Sequence, residues 1–224
     1  MTVARAMPFA KTYTVAEAAH LAGTTPQNAR RWLLGYEAPG HRMKPVLGPR
    51  PDDGAVSLSF LELVELIVVA RYRRGSGRRL SLERLRAAHE FASTRLGIPF
   101  PFASKRLTVE GGNIMHAFDQ SDAASARIAV DIGGAFALPA EFGETMDLVD
   151  FDIADGMAAR FYPYGRATPV VIDPEHAAGR PTIEGSNVRI ETIVQRWKAG
   201  AKIVDLEEDF EVPAAAIEAV LRAA

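Results

Sequence analysis

The stretch "YTVAEAAHLAGTTPQNARRWL", from Tyr13 to Leu33, has the pattern of two short helices joined by a tight turn. Thr14 and Glu17 form the Ser/Thr-x-x-Glu signature of a helix start, in which each side chain accepts a hydrogen bond from the other residue's backbone amide. Gly23 is suited to the left-handed position that ends a helix. A first helix is therefore predicted between these two signals.

The second helix of this stretch has its own start signal. Thr25 supplies an N-cap oxygen, and Pro26 fits the first helical position, where no backbone N–H is needed. The helix is expected to continue to about Tyr36, before the sequence "EAPG". Ala29 and Trp32 lie three residues apart and are expected to pack against the first helix. The stretch thus predicts a helix-turn-helix.

In a helix-turn-helix, the first turns of the second helix face the base edges of DNA. Gln27, Asn28 and Arg31 lie near one face there, and these residue types pair with adenine (Gln and Asn) or guanine (Arg). Arg30 lies nearer the flank and suits a phosphate contact, which positions a protein without reading sequence. The pattern predicts a DNA-recognition helix; the alternative is a set of solvated surface charges.

The residues that follow predict a hairpin. Two apolar segments, 45–47 and 56–58, flank a loop rich in Gly, Pro and Asp and are expected to form its strands. Three basic residues of this region suit contacts with DNA phosphate or the minor groove: Arg42, Lys44 and Arg50.

Two longer helices are predicted after the hairpin. Ser59 and Glu62 repeat the helix-start signature and predict an apolar helix over about 60–74. Ser81 is expected to cap a further helix that lasts to about Leu96, where "GIPFPF" ends it.

Residues 12–96 resemble the winged-helix DNA-binding domain of the MerR family. The resemblance rests on the helix-turn-helix stretch and on "SLSFLELVELIVVARYRRGSGRRLSLERLRAAHEF" after the hairpin. It implies a DNA-binding domain over 1–96, built from a helix-turn-helix, a hairpin wing and two further helices. MerR-type regulators usually continue into a long dimerisation helix, whereas "GIPFPF" interrupts this chain.

The middle segment, 97–167, is predicted to be rich in β-hairpins and to carry dimerisation. The predicted hairpins are "KRLTVEGGNIMHAF" (105–118) and "DLVDFDIADGMAARFYP" (147–163), and "ARIAVDI" (126–132) is a further predicted strand. Val149, Phe151 and Ile153 alternate with aspartates, so these three are expected on a buried face. Two-stranded units are marginal alone, so a partner surface is expected to cover them.

Residues 168–224 resemble a small helical domain of unknown function. In bacteria this domain recurs beside genes for PIN-like nucleases and in VapB-type antitoxins. The resemblance rests on a turn motif and two helix ends: Gly179-Arg180-Pro181, Gly185-Ser186, Ala199-Gly200 and Asp209-Phe210. The resemblance implies that this segment belongs to an antitoxin.

The residues of this segment predict a three-helix, homeodomain-like module. "TPVVID" indicates a strand, "RPTIEGSNVRI" a small hairpin, and three helices are expected at about 191–199, 202–210 and 213–223. The third helix offers alanines where a DNA reader would offer Arg or Asn, and the second carries carboxylates that repel phosphate. The module is therefore expected to bind a protein; the alternative is a structural cap with a solvated acidic face.

Charge supports two different partners for the two halves. Residues 1–110 hold 17 Lys and Arg against 9 Asp and Glu, a net charge of +8, and residues 111–224 hold 9 against 19, a net charge of −10. The candidate toxin-binding residues of the acidic half are Asp205, Glu207, Glu208 and Asp209, with Arg180 and Arg189 as basic alternatives.

Other classes find little support in the sequence. The chain has no cysteine, which removes thiolate nucleophiles and cysteine-ligated metals, and its five histidines show no metal-binding spacing. No apolar run reaches the roughly 20 residues of a membrane span, and no secretory signal is visible, so a cytoplasmic protein is expected. Neither a cofactor nor catalysis is predicted, although a hydrolytic enzyme with a DNA-binding head is a third interpretation.

The expected fold class is α+β. The two resemblances together imply an antitoxin of a type II toxin–antitoxin system, which binds operator DNA as a homodimer, represses its own operon and neutralises a PIN-like ribonuclease toxin. The alternative is a MerR-like transcriptional regulator whose middle segment binds a small effector.

Overall fold

The computed structural model describes residues 7–48, 56–74, 81–95, 97–105 and 144–223. These residues combine helices with four small two-stranded sheets, which is an α+β fold, as predicted. The chain divides into two compact units. The N-terminal unit comprises Phe9–Asp147 and Phe151–Ala158, and the C-terminal unit comprises Met1–Pro8, Leu148–Asp150 and Ala159–Ala224.

These two units do not follow the borders of the three predicted segments. The described residues of the middle segment are divided between the units, since 97–105 group with the first and 159–167 with the second. Residues 106–143 lie outside the described residues, and with them the predicted strand at 126–132 and nearly all of the hairpin at 105–118. The three-part division stays a prediction.

The opening helix pair forms as its start signals predict. Helix α1 is Val15–Leu21, and the Thr14 hydroxyl accepts a hydrogen bond from the Glu17 amide at 3.3 Å, while the Glu17 carboxylate accepts from the Thr14 amide at 2.9 Å. Helix α2 is Pro26–Leu34. It ends two residues earlier than expected because Gly35 takes a φ of 78°, which breaks the helix.

The hairpin after α2 lies earlier in the chain than predicted. Its strands are β2, Tyr36–Ala38, and β3, His41–Met43, which pair antiparallel. The turn is Pro39-Gly40, with Gly40 at a φ of 81°, and Pro followed by Gly is the signature of a type II turn. The sequence "EAPG" therefore turns a hairpin. The prediction that 45–47 and 56–58 pair around a later loop was wrong, although Ser57 and Leu58 do form a strand.

The segments predicted as hairpin strands have other roles. Val46 is buried and donates its amide to the carbonyl of Trp32 at 2.7 Å, which holds this segment against α2. Strand β4, Ser57–Leu58, pairs antiparallel with β1, Tyr13–Thr14, at the start of α1. Most of the loop between these segments, 49–55, lies outside the described residues.

Helices α3, Phe60–Arg74, and α4, Leu82–Arg95, match their predicted ranges closely. The start of α3 has the predicted capping geometry, since the Glu62 carboxylate accepts the Ser59 amide at 2.6 Å. Helix α3 is buried along most of its length and forms the centre of the N-terminal unit. Its buried Glu65 is hydrogen-bonded to Nε2 of His89 at 3.0 Å and to the amide of Phe102 at 3.2 Å.

The predicted hairpin at 147–163 is confirmed. Strand β5, Val149–Phe151, pairs with β6, Ala158–Phe161. Ile153, however, was wrongly expected on the buried face, because it lies in the connecting turn and its side chain is fully exposed. The Asp152 carboxylate accepts the Ala154 amide at 2.7 Å, and this turn ends the alternation that the sequence suggested.

The C-terminal unit carries the predicted three helices. Strands β7, Val170–Val171, and β8, Thr182–Ile183, pair antiparallel and precede them. The helices are α5, Ile190–Lys198, α6, Ile203–Phe210, and α7, Ala214–Ala223. Their shared core is formed by Val170, Ile183, Ile190, Ile193, Leu206, Val212, Ile217 and Val220.

Candidate nucleic-acid interface and partner surface

Helix α2 presents a polar face to solvent. Ala29, Trp32 and Leu33 are buried against the rest of the N-terminal unit. Gln27, Arg30 and Arg31 are exposed at i, i+3 and i+4, and Asn28 is half-buried at the edge of this face. The Thr25 hydroxyl accepts the Asn28 amide at 3.2 Å, so this bond caps the N-terminus of α2.

Arg31 does not extend freely from this face. Its guanidinium carbon lies 5.2 Å from the ring centroid of Tyr36, the first residue of β2. This cation–π contact holds the arginine beside a cavity of about 300 Å³. The cavity is lined by Thr24, Asn28, Arg31, Trp32, Tyr36, Arg73, Arg74 and Leu82. Three of these residues are arginines, and none is acidic.

The end of helix α3 supplies two of these arginines. Arg74 donates from Nη2 to the carbonyl of Ala22 at 2.7 Å, which fixes it at the C-terminal end of α1. Burial, followed by repulsion from Arg74, lowers the pKa of the neighbouring Arg71. Positive charge is therefore concentrated at this end of α3. Arg73 and Arg74 were not among the predicted DNA-contacting residues, although they lie in the basic run "RYRRGSGRR".

The hairpin carries the other predicted cations of the N-terminal unit. Arg42 and Lys44 are exposed, and Arg42 lies 3.7 Å from the Glu37 carboxylate on the opposite strand. Arg86 of α4 donates to the Lys44 carbonyl at 2.8 Å, so the chain after β3 is anchored to α4. Arg50 lies outside the described residues. Arg42 and Lys44 are thus exposed basic side chains on a segment whose backbone is hydrogen-bonded to α4.

The predicted acidic residues of α6 are exposed, and most of them have partners inside the C-terminal unit. Asp205 accepts the Lys202 amide at 3.2 Å, and Glu207 accepts the Ala214 amide at 3.0 Å, at the start of α7. Asp209 forms an ion pair with Arg196 at 2.6 Å. Within the described part of the chain, no hydrogen bond or ion pair involves the side chain of Glu208.

Arg180 and Arg189, the basic candidates for toxin binding, both precede α5 in the chain. Arg180 is half-buried, and its amide donates to the Ala177 carbonyl at 3.2 Å. Arg189 is exposed at the position that precedes α5, and its backbone forms a bridge with Thr182. Arg180 thus lies just before β8, and Arg189 lies between β8 and α5.

A second polar cluster of the C-terminal unit was not predicted. The buried Asp173 carboxylate accepts from Nε of Arg160 at 2.8 Å and lies 3.1 Å from Nδ1 of His176. These three side chains border a cavity of about 370 Å³, together with Val171, Thr182, Glu184, Gly185, Ser186 and Asn187. The only signal in the sequence is that "DPEH" directly follows a predicted strand.

Tyr162 joins two carboxylates beside this cluster. Its hydroxyl lies 3.0 Å from both the Asp150 and the Glu184 carboxylates, so a single proton serves two acceptors. Burial, assisted by these two hydrogen bonds, raises the pKa of Tyr162 to about 12. The Arg166 guanidinium lies 4.4 Å from the tyrosine ring centroid and pairs with Asp150 at 2.8 Å. The phenol is therefore held as a neutral hydrogen-bond donor.

Among the residues that the structure covers, no group of three or more His, Cys, Asp or Glu side chains is arranged to hold a metal ion. No helix in the described ranges has the length and apolar character needed to span a membrane.

Comparison with known proteins gives matches over the C-terminal unit and over nearly the whole chain. Residues 170–223 match the family described as "Protein of unknown function (DUF433)". The "Uncharacterized protein Rv2308" of Mycobacterium tuberculosis is 28% identical over 202 residues, which cover 88% of this chain and 83% of that protein. The "Putative antitoxin VapB45" of the same organism is 25% identical over 216 residues, covering 89% and 88% of the two chains.

The fold is also shared with a solved structure. The crystal structure of Rv2018 from Mycobacterium tuberculosis matches with a TM-score of 0.72 and 21% identity, covering 96% of this chain and 99% of the other. The two relatives that match over most of the chain are named as an uncharacterized protein and a putative antitoxin, and the family that matches residues 170–223 is one of unknown function. The chain is thus similar to an antitoxin-named protein over most of its length.

Proposed function

We propose that this chain is a DNA-binding antitoxin. Its N-terminal unit, as a MerR-like winged helix, binds operator DNA and represses the chain's own operon, and its homeodomain-like C-terminal module neutralises a PIN-like ribonuclease toxin. The similarity to the antitoxin-named relative, which extends over 89% of this chain, supports the antitoxin role. The two partners differ in charge, as do the two halves of the chain.

The observation that carries the DNA-binding part is the cavity beside α2. Arg31, Arg73 and Arg74 are among the described residues that line it, and no acidic residue is among them, so an anion is the ligand that the charge of this lining favours. Its place beside the exposed face of a helix-turn-helix suits a DNA phosphate. The basic hairpin residues Arg42 and Lys44 extend the same kind of contact.

The exposure and contacts of the polar side chains of α2 also support different roles for them, either base contact or phosphate contact. Gln27 and Arg30 are exposed and are assigned to base edges, together with the half-buried Asn28. Arg31 is held on Tyr36 beside Arg73, so it is assigned to a phosphate rather than to the guanine that the sequence suggested. Base reading and backbone anchoring thereby come from neighbouring residues of one helix.

The experiment for DNA binding compares two duplexes of equal length. The full chain is titrated against DNA from upstream of its own gene and against a scrambled duplex, between about 50 and 200 mM salt. We expect the upstream duplex to bind at least about 1,000-fold more tightly, with both affinities falling as salt rises. Equal affinity for the two duplexes would rule out operator recognition.

Dimerisation is part of the proposal because an operator read by a helix-turn-helix is usually composed of two half-sites. We assign it to the middle segment, 97–167, because α4 ends at Arg95 and "GIPFPF" follows where MerR-type regulators continue into a dimerisation helix. Light scattering of the full chain should give a mass near twice 24.3 kDa. A monomer at the concentrations that saturate the operator would contradict this assignment.

One observation favours the alternative function, a regulator that binds a small effector. The cavity of about 370 Å³ at Arg160 and His176 has room for a small polar molecule. An effector-binding regulator should show a rise in melting temperature with one metabolite and a change in operator affinity with the same compound. A rise in melting temperature without a change in operator affinity would count against this alternative.

A further inference from the structure

Helix α5 leaves a tryptophan outside the core of the C-terminal unit. Ile190, Ile193 and Trp197 follow one face of the helix at i, i+3 and i+7. The first two are 8% and 0% exposed, whereas Trp197 is 47% exposed. Trp197 belongs neither to the core of this unit nor to the half-buried apolar residues that pack against that core.

A second apolar side chain is exposed close by in the chain. Val204, in the first turn of α6, is 69% exposed, and the link from α5 to α6 is only residues 199–202. Large exposed apolar residues are few in the described part of the chain, and two of them flank this link. Such a pair is unusual for a surface without a partner, and Trp is the residue type most enriched at the centres of protein interfaces.

The charge around Val204 indicates the kind of partner. Val204, Glu207 and Glu208 lie at i, i+3 and i+4 on one face of α6, and the helix carries four carboxylates and no basic residue. Asp205, Glu207 and Asp209 are held in place by bonds within the unit. Arg196 offsets the charge of Asp209, and Lys198 and Lys202 are basic, so the negative charge of this surface comes mainly from Glu207 and Glu208 beside Val204. These two carboxylates attract a basic protein surface.

We propose that Trp197, with Val204, is the apolar anchor by which the end of α5 and the start of α6 dock a basic protein. The occupant is the PIN-like ribonuclease of the proposed function, on which this inference rests, because a protein that binds RNA presents a basic surface. Trp197 supplies the affinity, and the acidic face of α6 supplies association rate. The acidic residues are thus not the main source of binding energy.

The test measures binding of the full chain to the purified PIN-like protein encoded next to it. Trp197→Ala is expected to raise the Kd at least about 30-fold, mainly through a faster dissociation rate. Val204→Lys, which places a positive charge before a basic partner, is expected to raise it about 10-fold or more. Because Val204 is mostly exposed, this second variant should fold even if Trp197→Ala does not.

Two further variants distinguish the apolar contact of Trp197 and Val204 from the electrostatic effect of the α6 carboxylates. Tyr164→Ala removes another partly exposed aromatic residue of the same unit and should leave the Kd unchanged. Glu208→Gln should slow association at low salt and have little effect at high salt. Glu208 is preferred to Glu207 for this purpose, since Glu207 also accepts the first amide of α7.

The outcomes distinguish this inference from the function on which it rests. Failure of the wild-type chain to bind the PIN-like protein would overturn the proposed function and the inference together. Wild-type binding with an unchanged Kd for folded Trp197→Ala and Val204→Lys would overturn the inference alone. Loss of self-association in Trp197→Ala, with toxin binding intact, would assign the surface to a second copy of the chain and also overturn it.

Discussion

At the scale of single residues, the buried polar side chains hold each unit in one arrangement. Glu65 and His89 pair inside the N-terminal unit, where both side chains are almost completely buried. Tyr162 joins two carboxylates in the C-terminal unit. Such groups are costly to bury and become stabilising only when their partners are present.

The first prediction concerns His89. Replacing His89 with Ala should lower the free energy of unfolding by about 3 kcal/mol, because Glu65 loses a buried partner and a void forms beside Phe102. Urea unfolding of the full chain measures this change. His20→Ala, at an exposed position of α1, is the matched control and should cost less than about 0.5 kcal/mol.

The second prediction concerns the pH dependence from Tyr162. Its pKa of about 12 in the folded chain lies above the value of about 10 for an unfolded tyrosine. The stability from this residue is therefore complete below pH 10 and is lost as the pH rises from about 10 to about 12. Unfolding of wild type and Tyr162→Phe should converge over this range, and a constant difference between them would contradict the assignment.

At the scale of elements, helices could be predicted from the sequence better than strands. The first four helices each start at a local capping signal, such as Thr14 with Glu17 or Ser59 with Glu62, and these signals act within one turn. The hairpin was misplaced because Pro39-Gly40 was taken as a helix breaker, whereas it also has the chemistry of a type II turn. Strand pairs as short as β1 with β4 depend on tertiary contacts that a pattern does not contain.

The candidate DNA-binding site could also be predicted only in part from the sequence. The exposed face of α2 follows from helical periodicity, so Gln27 and Arg30 could be placed from the sequence. Arg31 and Arg73 border one cavity because α2 and α3 both pack against α1, and no local signal encodes this tertiary arrangement.

The third prediction belongs to the hairpin. Gly35 has a φ of 78°, and a Cβ there would collide with the carbonyl oxygen of Met43 and lie 3.2 Å from the nitrogen of Pro45. Gly40 has a similar φ of 81° but open space around it. Gly40→Ala should therefore cost about 1 kcal/mol from backbone strain, and Gly35→Ala about 3 kcal/mol or more. Thermal unfolding tests this order, and equal costs would contradict it.

At the scale of the whole molecule, we propose that the N-terminal unit binds DNA and that the C-terminal unit binds a protein. The fourth prediction tests the first half. Arg73→Ala and Arg31→Ala should each reduce the slope of log affinity against log salt by about 0.9 and weaken operator and scrambled DNA equally. Arg222→Ala, an exposed arginine of α7, should leave the slope unchanged. A selective loss for the operator with Arg31→Ala would return that residue to base reading.

The proposed antitoxin role is tested by measuring whether the chain inhibits the ribonuclease activity of its PIN-like partner. RNA cleavage by the purified PIN-like protein encoded beside this chain is measured while the full chain is added in increasing amounts. The account predicts that cleavage falls linearly and stops near a fixed stoichiometric ratio, as tight binding requires. Cleavage that continues at an unchanged rate with the chain in molar excess would contradict the claim.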